Sequence, residues 1–181
     1  MTRYVAMLRG VNVGSRKVAM ADLRAVFATL GHKDVSTYIQ SGNVVFTAPA
    51  AGRGNVARLI EERIAADLGL VVSVILRTSD ELAQVIDTNP FLRRGLDLRS
   101  LHVTFLAASP DAALVHQLDI PPSPPDEFHL FDREVYLHCP NGYGRTMLNN
   151  AFWERRLSVP ATTRNWNTVT TLLQLTRSQE P

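Results

Sequence analysis

The order of short apolar segments constrains this chain more than any other feature. Residues 3–9 are a compact, mostly apolar run that suits a buried strand. After a loop at 10–18, Leu23, Val26, Phe27 and Leu30 recur at helical spacing, and Gly31 stands where a helix ends. Val35, Thr37 and Ile39 alternate with polar residues, Ser41-Gly42-Asn43 supplies turn chemistry, and 44–47 is a second strand, so 35–47 reads as a hairpin. Asn55 is placed to cap a helix whose inner face is Val56, Leu59, Ile60, Ile64 and Leu68, and Gly69 stops it before the β-rich run 71–77. The order is β-α-β-β-α-β, the split βαβ pattern of a ferredoxin-like sandwich.

The remainder nearly repeats that order. Thr78, with Glu81 three residues later, makes a capping box for a short helix carrying Leu82, Val85 and Ile86. Residues 101–106 read as a strand and 110–118 as a helix. Pro121-Pro122-Ser123-Pro124-Pro125 is a stiff connector, and 128–131 with 134–138 form a hairpin over Asp132-Arg133. Thr146 is expected to open a helix with Leu148, Ala151, Phe152 and Leu157, and Trp166, Val169, Leu172 and Leu173 mark a last helix. A fourth strand is not visible in this half, where 159–163 is the only candidate. The expected fold is α+β: two tandem ferredoxin-like α/β sandwich subdomains, 1–78 and 79–181, the second followed by C-terminal helices. The apolar face of the last helix is expected to pack back on the first half.

Composition narrows the class. The chain has 181 residues, 45% hydrophobic and 20% charged, which excludes disorder. Its one cysteine, Cys139, excludes an internal disulfide and a cysteine-based zinc cluster. No apolar run approaches the roughly 18 residues of a membrane span, and the N-terminus lacks a signal-peptide pattern, so a cytoplasmic protein without membrane association is expected. His32, His102, His116, His129 and His138 have no metal-ligand spacing; neither metal nor cofactor is expected. The oligomeric state stays open.

The net charge of +2 hides an asymmetry. Residues 1–60 carry 8 basic and 2 acidic side chains, 61–140 carry 6 and 13, and 141–181 carry 5 and 2. Two basic ends flank an acidic middle. This charge pattern suits an anionic partner if the ends meet, and equally suits internal packing of opposite charges.

Four polar stretches stand out. Arg9-Gly10-Val11-Asn12-Val13-Gly14 is a glycine turn with Arg16 and Lys17 behind it, ahead of a helix start, and it lacks both phosphate-loop and dinucleotide-binding spacings. Gln40-Ser41-Gly42-Asn43 is the hairpin tip. In a split βαβ the first two strands run parallel, which puts Arg9, Asn12, Gln40, Ser41 and Asn43 at one sheet edge. Asn141-Gly142-Tyr143-Gly144-Arg145-Thr146 is expected to place Tyr143 and Arg145 beside helix N–H groups. The stretch 161–168 is the densest, where Thr163 or Asn165 suits an N-cap and Arg164 stands just before a helix start, where a cation is disfavoured unless it pairs with a carboxylate or a bound anion. Ser41 lacks a hydrolase elbow, His138-Cys139 point to opposite strand faces, and the aromatics of an RNA-recognition motif are missing from 41–46.

Taken together, residues 6–14, 37–46, 142–145 and 161–169 resemble the bacterial domain-of-unknown-function family 1697 over essentially the whole chain. The resemblance implies a tandem pair of ferredoxin-like subdomains and no particular activity. The first-loop lysines usual in the family are partly replaced here, with Ser15-Arg16-Lys17 keeping the positive charge. Three functions fit these residues. The leading one is a binding protein that holds a small anionic ligand, such as a nucleotide or phosphorylated metabolite, or nucleic acid. Its candidate contacts are Arg9, Asn12, Gln40, Ser41, Asn43, Tyr143, Arg145, Thr163, Arg164, Asn165 and Asn167. The second is an enzyme acting on a phosphorylated or nucleotide-like molecule, with Tyr143 or Ser41 in the chemistry. The third is an interaction protein whose polar motifs only lock its parts together.

Overall fold

Both halves build a four-stranded antiparallel sheet. The structure, a computed structural model, describes residues 1–49, 52–120 and 124–178, so Pro121, Pro122 and Ser123 of the expected connector lie outside the described residues. The chain divides into two compact units, Met1–Ala83 together with the stretch from Leu172 onward, and Gln84–Thr171.

The first unit holds β1 (Thr2–Leu8), α1 (Met20–Thr29), β2 (Lys33–Tyr38), β3 (Asn43–Ala48), α2 (Arg53–Leu68) and β4 (Val74–Thr78). Its sheet order is β2-β3-β1-β4, with β3 antiparallel to both β1 and β2, so β1 and β2 run in the same direction. Tyr4, Ala6, Leu8, Val44, Phe46, Ala48 and Leu76 pack on Leu23, Val26 and Phe27 of α1 and on Val56, Ile60 and Ile64 of α2. The alternate residues Val5, Met7, Val45 and Ile75 are buried too. Burial of both faces is why these strands read as continuous apolar runs.

Three local expectations give way. Gly52, not Asn55, occupies the N-cap of α2; Asn55 lies in the first turn, where its Oδ1 accepts from Arg58 Nη2 at 2.9 Å. Leu59 is 39% exposed, because the inner stripe of α2 is filled by its neighbours at 56, 60 and 64. Ile39 leaves the strand with φ 50° and Val71 stays outside β4, 83% exposed.

His32 sets a pH response of this core. Its ring lies 4.7 Å from Phe46 and 6.0 Å from Phe27, and neither nitrogen has a hydrogen-bond partner among the described residues. Burial lowers its pKa below the ordinary 6.5. The unfolded chain then takes up this proton first on acidification, so stability falls as pH drops below about 6.5 until the folded ring also protonates. Melting curves of His32→Phe should show a shallower loss between neutral and mildly acid pH than the parent. An unchanged slope would assign the acid sensitivity elsewhere.

The second sheet has the order β6-β7-β5-β8. α3 (Ser79–Asp87) begins in the first unit and ends in the second. Thr78 and Glu81 close the expected capping box at its start: the Thr78 N–H donates to Glu81 Oε2 at 2.8 Å, and the Glu81 N–H to Thr78 Oγ1 at 3.2 Å. There follow β5 (Leu101–Leu106), α4 (Ala112–His116), β6 (Glu127–Phe131), β7 (Glu134–His138), α5 (Asn150–Leu157), β8 (Ala161–Asn165) and α6 (Trp166–Arg177). Leu106, Val135, Leu137 and Ala161 pack on Phe152, Trp153 and Leu157 of α5. The Cys139 thiol is buried in this core, and burial pushes its pKa up to about 11.

Two expectations are corrected here. Thr146 does not open a helix. Asn149 caps α5, accepting from the Phe152 N–H at 3.0 Å, while Thr146 Oγ1 accepts from the Leu148 N–H at 3.1 Å. The segment 141–150 offers several residues able to cap, and with Thr146 and Leu148 buried ahead of the helix the cap falls to Asn149. The fourth strand does exist: β8 pairs antiparallel with β5, from His102↔Asn165 to Leu106↔Ala161. It escaped a hydrophobic pattern because its interior is Thr-Thr-Arg, with the polar groups paired after folding.

Candidate functional site

The expected juxtaposition at the first sheet is present. The Leu8 N–H donates to the Gly42 carbonyl at 2.9 Å. Asn12 Nδ2 donates to the Gln40 carbonyl at 2.7 Å and to the Val18 carbonyl at 3.2 Å, while its Oδ1 accepts from the Val18 N–H at 2.7 Å. Asn43 is fully buried, and its Nδ2 donates to the Tyr38 carbonyl at 3.2 Å and to Ser41 Oγ at 3.0 Å. The Arg9 backbone N–H donates to Ser73 at 2.9 Å, tying the same loop to the start of β4. Thus Arg9, Asn12, Gln40, Ser41 and Asn43 gather at one end of the sheet. The amides of Asn12 and Asn43 are spent on the chain's own carbonyls, fastening loop to turn.

The second unit contains a cleft of about 420 Å³ lined by Leu98, Arg99, His102, Asn165, Trp166, Asn167 and Thr170. Strand pairing builds it. His102 of β5 stands opposite Asn165, the last residue of β8, and α6 leaves directly from there. A 3₁₀ turn at Leu98–Ser100 brings Leu98 and Arg99 to the rim. Asn165 caps α6 by accepting from the Thr168 N–H at 2.8 Å. Asn167 and Thr170 follow at helical spacing, so the cleft opens beside the positive end of a twelve-residue helix. Arg99 holds Asp97 through 2.9 Å and 3.2 Å contacts, which keeps the Asp97 carboxyl below its usual range. The His102 ring stacks on Tyr143 at 5.1 Å, and burial lowers its pKa against an opposing contribution from the Ser100 backbone, so the imidazole is neutral at pH 7.

A hydroxyl network stands beside that stack. Thr163 Oγ1 donates to Asn150 Oδ1 at 2.6 Å and receives the Tyr143 hydroxyl at 3.0 Å, with Thr104 Oγ1 2.7 Å away. Contrary to expectation, Tyr143 and Arg145 sit in a separate 3₁₀ turn (Tyr143–Arg145) that ends before the α5 start, where Asn149 serves the N-cap. Arg145 lines a different cleft of about 300 Å³ with Pro124, Asp126 and Asn141. Arg164 lies inside β8 and, as expected, just ahead of the α6 start at Trp166. It is buried, and its Nη1 donates to Thr162 Oγ1 at 2.7 Å and to the Thr163 carbonyl at 2.9 Å. Burial lowers its pKa to about 10, which leaves it charged at neutral pH.

The expected set is thus dispersed. Asn165 and Asn167 line the cleft, Tyr143 and Thr163 support its wall, Arg145 lines another, and Arg164 is enclosed. Sequence reasoning missed Leu98, Arg99, His102 and Thr170. A lone histidine carries no signal until β8 is known to pair with β5. Among the described residues no group of three or more His, Cys, Asp or Glu is arranged to hold a metal ion, and no helix is long and apolar enough to cross a membrane.

The fold and these loops define an α+β protein of two antiparallel four-stranded sheets with a cleft at a strand-to-helix junction. A family model described as a protein of unknown function, DUF1697, matches residues 1–136, and the chain belongs to that family. The matched region ends before the motifs at 142–145 and 161–169. A solved structure described as that of the conserved bacterial protein SP0830 from Streptococcus pneumoniae is similar over 97% of this chain and 99% of its own, with a TM-score of 0.75 and 24% identity. That likeness shows the fold alone. No curated protein matches the chain.

Proposed function

We propose that the protein binds a small anionic ligand of nucleotide or phosphorylated-metabolite type in the His102–Asn167 cleft. The observation that carries this reading is the coincidence of a cleft of about 420 Å³ with the N-terminal end of α6. That volume lies in the range of small-ligand sites and fits a mononucleotide better than a strand. Trp166, His102 and Leu98 offer flat and apolar wall, and Asn167 and Thr170 offer hydrogen bonds beside the helix end. We further read each sheet with its helices as a ferredoxin-like sandwich, supported by the matching orders β2-β3-β1-β4 and β6-β7-β5-β8, with subdomains at 1–78 and 79–181. A cytoplasmic location accords with the free, buried Cys139.

A second reading applies to the first sheet. There the Asn12 and Asn43 amides are occupied by intramolecular partners, which favours a structural lock over ligand contact by those two side chains.

The test is a thermal-shift screen with mononucleotides, sugar phosphates and short oligonucleotides. A ligand at 100 times its dissociation constant adds about 2.7 kcal/mol. Asn167→Ala should abolish that shift while leaving the free protein's melting temperature nearly unchanged, since Asn167 is exposed. A shift retained in full by the variant, or no saturable shift with any of these compounds, would remove the cleft from consideration.

A further inference from the structure

The segment 141–147 borders the second cleft, of about 300 Å³, that the α6 site does not use. Its backbone is largely spent on itself. The Gly142 N–H donates to the Cys139 carbonyl at 3.0 Å, the Arg145 N–H to the Gly142 carbonyl at 3.2 Å and the Thr146 N–H to the Tyr143 carbonyl at 3.2 Å. The Tyr143 hydroxyl is fastened to Thr163, and Thr146 is buried. Arg145 stands between these two anchors with its side chain exposed.

Two opposite charges line this cleft, and neither is paired. Arg145 and Asp126 have no side-chain hydrogen bond or ion pair among the described residues, with each other or with any third group. Asp126 is half-buried. Burial first, and then the Asp126 charge, raise the pKa of the enclosed Cys139 thiol, so this carboxylate stands close enough to the core to act on it. A carboxylate drawn partly out of water is ordinarily met by a cation or by donors. Its neighbour Glu127 shows the ordinary case: Arg94 holds it at 2.8 Å and 3.1 Å, and His138 Nδ1 lies 3.1 Å away. At Asp126 the cation that shares its cleft stands apart. The rest of the wall is apolar, from Pro124, Pro125 and Met147, the last 57% exposed, with the unspent amide of Asn141 at the side.

We propose that this cleft binds a free α-amino acid with an apolar side chain, independently of the cleft at α6. The ligand carboxylate meets the Arg145 guanidinium, whose planar fork suits it, and the ligand ammonium meets the Asp126 carboxylate. The ligand side chain lies on the two prolines and on Met147, whose flexible thioether adapts to varied shapes. The volume is at the lower end of small-ligand sites, as a single amino acid requires. A phosphorylated compound finds no cationic counterpart for Asp126 and is repelled by it, so the two clefts take different ligands.

The test is an amide-resolved NMR titration of the whole chain with L-leucine, beside N-acetyl-L-leucine, which lacks the ammonium, and L-leucinamide, which lacks the carboxylate. Saturable movement of the amides at 141–147 with leucine, weakened about 10-fold or more in each blocked analogue, supports the site. Arg145→Gln should weaken leucine by a similar factor and leave leucinamide as in the parent. Asp126→Asn should weaken leucine and leave N-acetyl-leucine as in the parent. Arg145 has no partner to lose, so the melting temperature of Arg145→Gln should match the parent's. If Asp126→Asn does not fold, the Arg145→Gln comparison decides alone. Blocked analogues bound as tightly as leucine, unweakened leucine binding in Arg145→Gln, or no saturable movement at 141–147 would each overturn the proposal. Amides at 165–170 report the α6 cleft separately, so failure of one site is visible without failure of the other.

Discussion

Gly42→Ala should lower the melting temperature more than any other single-methyl addition to the first sheet's loops. Gly42 holds φ 76°, a left-handed conformation that costs an alanine roughly 1–2 kcal/mol. A Cβ there would also stand 3.0 Å from Leu8 Cβ and 3.2 Å from Val11 Cβ. Both neighbours are buried, and Leu8 is fixed by pairing with Val74, so neither has room to retreat. Overpacking of this kind costs about 1–3 kcal/mol. The total of about 2–5 kcal/mol corresponds to roughly 4–20 °C at 2–4 °C per kcal/mol for a chain of this length. Gly52→Ala is the control, since its Cβ meets nothing within 4 Å and its φ is −52°. If the two variants melt together, the close approach of the hairpin tip to β1 is not what makes Gly42 necessary.

Thr163→Val should cost about 2–4 kcal/mol, although valine has nearly the same shape. The change removes one hydroxyl, which takes the Thr163 partner from buried Thr104 Oγ1 and one of the bonds made by the Tyr143 hydroxyl and by Asn150 Oδ1, which still pair with each other at 3.4 Å. Thr104 is fully buried, where an unsatisfied polar group costs about 1–3 kcal/mol. Thr163→Ser keeps the hydroxyl and should recover most of the loss. Tyr143→Phe removes a peripheral member and should cost about 1 kcal/mol. Chemical denaturation of the three variants ranks them. A Thr163→Val protein as stable as the parent would mean that the network adds nothing and that β8 is held by backbone pairing alone. Because Tyr143 also stacks on His102, Thr163→Val should in addition weaken any ligand-induced shift from the α6 cleft, an effect that Thr163→Ser should not show.

Much of the architecture was determined by local chemistry that any reader of the sequence has in hand. Apolar spacing placed α1, β3, β5, β7 and α6 near their observed positions, and the Thr78–Glu81 box set the start of α3, because these features depend on neighbours within a few residues. The meeting of the Arg9 loop and the Ser41 turn also followed from the sequence, since the element order makes β1 and β2 run alike.

What only the tertiary structure decided concerns residues whose roles depend on distant partners. Asn55 and Thr146 are plausible caps by type, yet packing starts α2 at Arg53 and α5 at Asn150, with Gly52 and Asn149 as the caps. β8 has no apolar alternation to reveal it, because Thr163 is satisfied by Thr104, which comes near only when β8 lies against β5. The same pairing puts His102 opposite Asn165 and creates the cleft, so a histidine without any local motif becomes part of its wall. Periodicity records which face of an element is apolar. It does not record hydrogen bonds between residues such as Thr104 and Thr163, 59 positions apart, and those bonds are what make a polar segment a strand.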